Sequence, residues 1–357
     1  MDAFATSVGT ALLTVIQCTL VVAILSVTAI FLAYMDRKVW AAAQLRRGHH
    51  GARPGSEQQS LREMLTLALR ETTTPADAKI PIMFAAPLLT FTLALIGWAA
   101  IPFAESWVLS DLNIGVLYLF AMSSLGVYSV MFSGSASGSE YSVPRSLRSA
   151  ALMLSFQVSM GLAMASLLLS TGSLNLMSIV AAQDGRYGIA SWYWLPHLPV
   201  LAVFFISALA ATNRPPFDLP EAESEIVSGY RAGYSPGPDL VRMVGEYLNI
   251  ALICAVGTVL FFGGWLSPIP TAIDPFGDGV FWFLIKALTF LFVFAVTKAV
   301  VPRYRYDQLM WFAWKVCVPI SLAWVLISAC LAKFEPSRRW CPTIAPSRVR
   351  WKAWCST

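Results

Sequence analysis

Four acidic side chains lie within eight residues of an otherwise strongly apolar sequence: Asp218, Glu221, Glu223 and Glu225. If this segment is helical, three of them fall at positions i, i+3 and i+7 on one face, and Glu223 points elsewhere. Crowded carboxylates repel one another and poor solvation penalises each charge, so some of their pKa values should lie near neutral pH. Such groups can relay protons. A solvated acidic loop is the alternative interpretation.

The acidic segment separates two apolar runs. Pro215 and Pro216 should end a helix over 191–211, because proline fixes φ and lacks a backbone N–H. Pro220 suits the first turn of the following helix, where its missing N–H costs little. The next apolar run begins near residue 244. The carboxylates are therefore expected at the edge of a membrane, between two helices that cross it.

Composition defines the class of protein. Hydrophobic residues make up 57% of the 357 residues and charged residues only 13%, which excludes an ordinary soluble domain. Several runs exceed the ~18 apolar residues that mark a bilayer-spanning helix. We therefore predict an all-α polytopic membrane protein, one integral membrane domain with about eight spanning helices. The candidate spans are about 12–34, 81–103, 112–133, 149–170, 191–211, 244–264, 280–300 and 313–333, and an atypical tail follows over 334–357.

The distribution of basic residues predicts the orientation. The loops after the odd-numbered spans carry 15 Lys and Arg residues, whereas the opposite side carries Arg186 alone before the tail. The positive-inside rule places the odd loops in the cytoplasm or the mitochondrial matrix. The first of these loops, 35–80, has apolar residues at helical spacing over Leu61–Ala68. This spacing predicts an amphipathic helix that lies in the membrane interface.

Several kinds of site are absent from the sequence. The six cysteines occur singly, with no CxxC and no His-rich spacing, so we expect no metal site. Without a GxGxxG or a P-loop, we expect the chain to carry no cofactor for redox chemistry. The net charge of +5 comes from basic residues at membrane edges, and we expect no nucleic-acid partner.

The sequence resembles one family along most of its length: the quinone-chamber membrane subunit of proton-pumping NADH:quinone oxidoreductase (respiratory complex I). This subunit is called H in bacteria and 1 in mitochondria. Besides the acidic segment, Thr212–Tyr234, the matches keep the family's order over roughly residues 30 to 330. They are DRKVWAAAQLRRG (36–48), SLRSAA (146–151), WYWLPHLP (192–199), GEYLNI (245–250), LFFGGWL (260–266) and KAVVPRYRYDQLM (298–310).

The resemblance implies two sets of site residues. The set at the quinone chamber or its lining is Asp36, Arg37, Arg46, Arg214, Phe217 and Glu246. The set for proton coupling is Asp218, Glu221, Glu223 and Glu225. For the charged residues that close the first span, side chains that simply reach the membrane boundary are the alternative.

The resemblance also implies partners. Quinone would be the substrate, at the junction with soluble quinone-site subunits and adjacent membrane subunits. FMN and iron–sulfur clusters would be held only by partner subunits. The chain would be a multi-pass protein of the bacterial inner membrane, or of the mitochondrial inner membrane if organellar. The matching subunit of a membrane-bound hydrogenase or formate-oxidising complex is an alternative function, and a secondary transporter is another, although the sequence has no evident internal repeat.

Three carboxylates that the family commonly carries are missing, because Gln157, Ala211 and Gly233 stand at those positions. The blocks 48–60, 230–241 and 335–357 also lose the family pattern, either by divergence or through reading-frame slips.

Two further residues allow alternatives. Lys286, inside the seventh span, is either functional or paired with another helix. His197 is interpreted as a packed histidine near the outer face, and a ligand is the alternative.

Overall fold

The structure is a computed structural model. It describes residues 2–45, 66, 69–71, 79–105, 107–136, 138, 142–185, 188–217, 236–268, 277–302 and 304–334. Its helices are α1 (Asp2–Ala43), α2 (Ile80–Trp98), α3 (Gly115–Ala136), α4 (Ser142–Thr171), α5 (Leu176–Ala181), α6 (Leu198–Ala211), α7 (Pro236–Phe261), α8 (Val280–Val300), α9 (Tyr306–Phe312) and α10 (Val318–Phe334). A 3₁₀ turn covers Gly188–Ser191, and a π-helical segment, Ala313–Cys317, joins α9 to α10.

The predicted fold class is confirmed: the chain is an all-α polytopic membrane protein, with no strand among the described residues. Six helical stretches are long and apolar enough to cross a membrane. They are Ile80–Trp98, Gly115–Ala136, Ser142–Thr171, Gly237–Phe261, Val280–Val300 and Tyr306–Leu331. Helix α1 runs through the predicted first span, and α6 is a shorter apolar helix.

The predicted helix over 191–211 begins later than expected. Residues 192–197 form turns, and α6 begins only at Leu198. Pro196 and Pro199 explain the difference, because a proline disfavours helical backbone in the residue before it but is tolerated in a first helical turn. The 14 residues of α6 measure about 21 Å, less than the ~30 Å of a bilayer core.

Two other helices are longer than hydropathy indicated. Helix α1 continues to Ala43, so Asp36 lies on a helix rather than in the predicted loop over 35–80. The segment 36–43 contains no Gly or Pro to end the helix. Helix α7 begins at Pro236 rather than near 244, which adds two turns that carry charged side chains.

Helix α7 lies at the centre and is the most buried of the six long apolar helices. Its Gly245 allows close approach to α2, since a Cβ atom there would lie 3.0 Å from the backbone of Phe91. Small residues at such crossings are typical of helix packing in membranes. The first turns of α7 are thereby held between α1, α2 and α8, where the charged residues meet.

Of the predicted interfacial helix over 61–68, all but Thr66 lies outside the described residues.

Candidate functional site

The first three turns of α7 carry an ion-pair cluster around a buried arginine. Asp239, Arg242 and Glu246 lie at positions i, i+3 and i+7, on one face of the helix. Arg242 is only 5% exposed. Its Nε donates to Asp239 Oδ1 at 3.0 Å, and its Nη1 donates to Glu246 Oε1. A guanidinium removed from water needs such partners, and these two carboxylates supply them.

Arg214 extends this cluster from another part of the chain. Helix α6 ends at Ala211, and Asn213 then adopts the left-handed conformation (φ 49°) that commonly reverses a chain after a helix. The Arg214 guanidinium lies 4.6 Å above the ring of Tyr247, and its Nη2 is 3.7 Å from Glu246 Oε2. Glu246 therefore faces two guanidinium groups, one on its own helix and one that follows α6.

Asp36 forms the other end of the arrangement, where three helices meet. Lys298 of α8 donates from Nζ to Asp36 Oδ2 at 2.7 Å, and the side chains of this pair are 11% and 16% exposed. The hydroxyl of Tyr247 donates to the same oxygen at 3.4 Å. Tyr247 thus contacts Asp36 through its hydroxyl and Arg214 through its ring.

These contacts form one continuous chain of side chains, which we call the charge network. In order, it consists of Asp239, Arg242, Glu246, Arg214, Tyr247, Asp36 and Lys298. Its three acids and three bases balance when all are ionised. Buried ion pairs are weak evidence for stability, because desolvation offsets most of their attraction. Each member does, however, feel a change of charge on its neighbours.

Two small cavities border the charge network. The inner cavity, of about 20 Å³, is lined by Leu32, Asp36, Arg214, Tyr247, Ile250, Leu291, Phe294, Ala295 and Lys298, and has room for about one water molecule. The polar cavity, of about 60 Å³, lies among α2, α3, α4 and α7 and has room for about four. Arg242 and Glu246 line the polar cavity, whereas Arg214 lines the inner one. The Arg214–Glu246 pair therefore joins the two.

Two of the three positions that lack a family carboxylate lie at or next to the polar cavity. Ala211 lines it directly. Gln157 donates from Nε2 at 3.2 Å to Ser123 Oγ, and Ser123 is another lining residue. The remaining position, Gly233, lies outside the described residues.

The structure brings together only part of the predicted site. Asp36, Arg214 and Glu246 belong to the charge network, whereas Arg37 follows Asp36 on α1 with an exposed side chain. Phe217 is 5% exposed, lies edge-on to Phe156 and lines a third, mostly apolar cavity of about 680 Å³ beside α6, α8 and α9. Arg46 and the four acidic residues over 218–225 lie outside the described residues.

Four members of the charge network were missed in the sequence: Asp239, Arg242, Tyr247 and Lys298. The spacing of Asp239 and Arg242 from Glu246 could have revealed the local cluster.

His197 is 7% exposed and accepts a hydrogen bond at Nδ1 from Trp324 Nε1 at 3.0 Å. Within the described part of the chain, no three His, Cys, Asp or Glu side chains are grouped as metal ligands.

Fold and site together define an all-α polytopic membrane protein whose helices hold a charge network between two small cavities. The model of the family described as NADH dehydrogenase matches residues 16–329. The chain belongs to this family.

Similar bacterial proteins cover nearly the whole chain. The H subunit of NADH-quinone oxidoreductase from Dinoroseobacter shibae is 53% identical over 334 residues, which is 94% of this chain and 96% of that protein. The H 1 subunit from Cereibacter sphaeroides is 54% identical over 319 residues, 89% of this chain and 92% of that protein. The H subunit from Roseobacter denitrificans is 52% identical over 334 residues, 94% and 96% of the two chains.

Proposed function

We propose that this chain is the quinone-chamber membrane subunit of an NADH:quinone oxidoreductase (complex I). In this role it forms the entrance path and the floor of the quinone chamber, and it couples quinone reduction to proton translocation. Family membership over residues 16–329 supports the assignment to the complex. The observation that carries the coupling role is the charge network, which runs without interruption from Asp36 to Arg242 and Asp239.

Quinone reduction would act on the Asp36 end of the network. Each quinone carbonyl oxygen takes up an electron and a proton. A proton taken from a side chain near the chamber floor would leave that side chain with one more negative charge. Two charges about 4 Å apart interact by about 4 kcal/mol at an effective dielectric constant of about 20. A change of that size alters a proton-binding equilibrium by roughly three orders of magnitude. The network members are close enough to pass such a change to their neighbours.

The proposed coupling route runs through Tyr247 and Glu246. Tyr247 contributes its hydroxyl hydrogen bond and its ring contact, and Glu246 contributes its two guanidinium partners. A change at Asp36 alters the hydroxyl contact of Tyr247, whose ring holds Arg214. Arg214 in turn sets the field at Glu246, which lines the polar cavity. Glu246 would then exchange a proton with water in that cavity. The acidic residues over 218–225, which begin four positions after Arg214, would supply protons from the cytoplasmic side.

The remaining parts of the proposal concern the surroundings. Soluble partner subunits would hold the FMN and iron–sulfur clusters and would close the chamber above the floor, and adjacent membrane subunits would continue the proton path. The compartment would be the bacterial inner membrane, since the relatives are bacterial. The odd-numbered loops would face the cytoplasm.

Glu246→Gln tests the coupling role. The purified complex in vesicles should pump fewer protons for each quinone reduced, by threefold or more, because a neutral amide cannot bind and release a proton. NADH oxidation by an artificial acceptor, which bypasses the quinone site, should stay unchanged. Glu105→Gln, which alters an exposed carboxylate outside the long helices, is the matched control. Normal pumping by the Glu246 variant would rule out the route through the polar cavity.

A further inference from the structure

The C-terminal end of α7, far from the charge network, is held by donors from other segments. The last four carbonyls of a helix have no partners within it. Gln183 donates from Nε2 to the carbonyl oxygens of Val259 at 3.0 Å and Leu260 at 3.3 Å. The backbone N–H of Trp194 donates to the carbonyl oxygen of Phe261 at 3.1 Å. Two loops that precede α6 are therefore bound to this helix end.

Lys286 of α8 supplies the strongest of these attachments. Its Nζ donates to the carbonyl oxygens of Phe262 at 2.7 Å, Gly264 at 3.0 Å and Leu266 at 2.6 Å. It also lies 3.9 Å from the ring centre of Trp192, at cation–π distance. An ammonium has three N–H donors, and all of them are used here.

The turn after α7 is shaped to bring these carbonyls together. Gly263 (φ 69°) and Gly264 (φ 50°) both adopt left-handed backbone, which glycine tolerates best. The far side of the turn is also fixed, since Asp278 accepts a hydrogen bond from the Ser267 N–H at 2.6 Å. Within the described part of the chain, no carboxylate forms an ion pair with Lys286. Its charge is satisfied by carbonyl dipoles and an aromatic face.

This arrangement leaves Lys286 unsuited to proton transfer and well suited to fixing a helix. Its three protons are all donated to amide carbonyls, which are poor bases. Glu246 lies 15 residues before the end of α7, about 22 Å along a stiff helix. The contacts at the other end are long: 3.7 Å from Arg214 to Glu246 and 3.4 Å from Tyr247 to Asp36. A shift of α7 by about 1 Å would break both.

We infer that Lys286 is a positioning residue, whose ammonium fixes the outer end of α7 and thereby keeps Glu246 and Tyr247 in register with Arg214 and Asp36. This inference rests on the proposed function for its activity readout. The cage of three carbonyls and the Trp192 ring is a site for a primary ammonium group. When the lysine is shortened, the cage should accept a small alkylammonium ion from solution.

Lys286→Ala tests this directly in the purified complex, at matched complex content. Quinone reduction at saturating quinone should fall by about tenfold or more, since misplacing reacting groups by about 1 Å can cost up to about 100-fold. Artificial-acceptor activity should be unchanged. Because the substitution removes three methylenes and the ammonium, n-propylammonium should restore quinone reduction in a saturable way. Propanol, of similar size but neutral, should not.

Two further variants separate charge from bulk. Lys286→Met keeps the length without the charge, so it should lose activity and should not be rescued. Lys315→Ala is the matched control. Lys315 is an exposed lysine of the last long helical stretch, and its ammonium lies 5.8 Å from the ring centre of Trp311. It should behave as the unaltered complex does.

The outcomes distinguish this inference from the proposed function. If the unaltered complex reduces no quinone with NADH, the proposed function fails. If the unaltered complex is active and Lys286→Ala keeps full activity per assembled complex, or if propanol rescues as well, the positioning role is wrong. Should Lys286→Ala not assemble, Lys286→Arg decides. Its guanidinium keeps the charge but cannot match three converging carbonyls, so quinone turnover should fall severalfold with an unchanged KM, and full turnover would refute the inference.

Discussion

The ion pair between Asp36 and Lys298 offers a quantitative test of the charge network. Lys298 Nζ lies 2.7 Å from Asp36 Oδ2, and both side chains are largely buried. At an effective dielectric constant of about 20, this separation corresponds to about 6 kcal/mol of attraction. Most of that is offset by desolvation, but removing one partner of a buried pair typically costs about 3–5 kcal/mol, because the other charge stays buried. We therefore expect Lys298→Met to weaken the junction of α1, α7 and α8 by about this amount.

The assay is thermal inactivation of quinone reduction in the purified complex. If the lost free energy lowers the barrier to inactivation in full, the rate at a fixed temperature rises by roughly two to four orders of magnitude. Asp36→Asn should have a similar effect, since it removes the carboxylate that Lys298 contacts at 2.7 Å. The double variant should inactivate far more slowly than either single variant, because replacing a whole buried pair with neutral groups is often close to neutral.

Lys38→Met is the matched control for this cycle. Lys38 is an exposed lysine on the same helix as Asp36, with its Nζ 4.8 Å from the ring centre of Tyr34. Contacts of an exposed lysine contribute about 0.5–1 kcal/mol each, so the rate should change far less than it does for Lys298→Met. The reasoning is refuted if Lys298→Met inactivates no faster than this control. It is also refuted if the double variant is as unstable as the single variants.

Two further predictions concern the route between the cavities. Tyr247→Phe keeps the ring beneath Arg214 but removes the hydrogen bond from the hydroxyl to Asp36. Proton pumping per quinone should fall by about two- to tenfold, because a lost hydrogen bond costs about 0.5–1.5 kcal/mol. Artificial-acceptor activity is the control and should not change. Gln157→Glu combined with Ala211→Glu should raise pumping in vesicles, because Ala211 lines the polar cavity and Gln157 contacts the lining residue Ser123. Unchanged or lower pumping would show that neutral groups already suffice there.

The membrane helices were predictable wherever a run of apolar residues coincided with backbone signals. Helix α8 has the predicted bounds, 280–300, because Gly279 precedes the apolar run and Pro302 follows it. Prediction failed where hydropathy and backbone preference diverged. Residues 191–197 are aromatic and apolar enough to extend a span, but Pro196 prevents the helix. Hydropathy reports depth in the membrane, whereas helix ends depend on proline, glycine and capping.

The site was predictable only where its residues are local or match the family. Glu246 was found by resemblance, and its partner Arg242 lies at i−4 on the same helix. The pairing of Asp36 with Lys298 joins positions 262 residues apart, and that of Asp36 with Tyr247 joins positions 211 apart. No local pattern can indicate such pairs, because helix packing brings them together. A lone lysine in an apolar run, as at 298, indicates only that some partner is required.

The polar cavity shows what the loss of family carboxylates implies for the proposed proton route. Among its described lining residues Glu246 is the one carboxylate, while Ala211 and the Gln157–Ser123 pair stand where acids would be expected. The Ser133 hydroxyl, also on the cavity wall, is buried and has no hydrogen-bond partner among the described residues. A buried hydroxyl of this kind is normally satisfied by water, for which a cavity of about 60 Å³ has room. On the proposed function, protons that leave Glu246 would therefore move through water rather than between carboxylates. Pumping should then depend on the size and polarity of this cavity as much as on any titrating side chain within it.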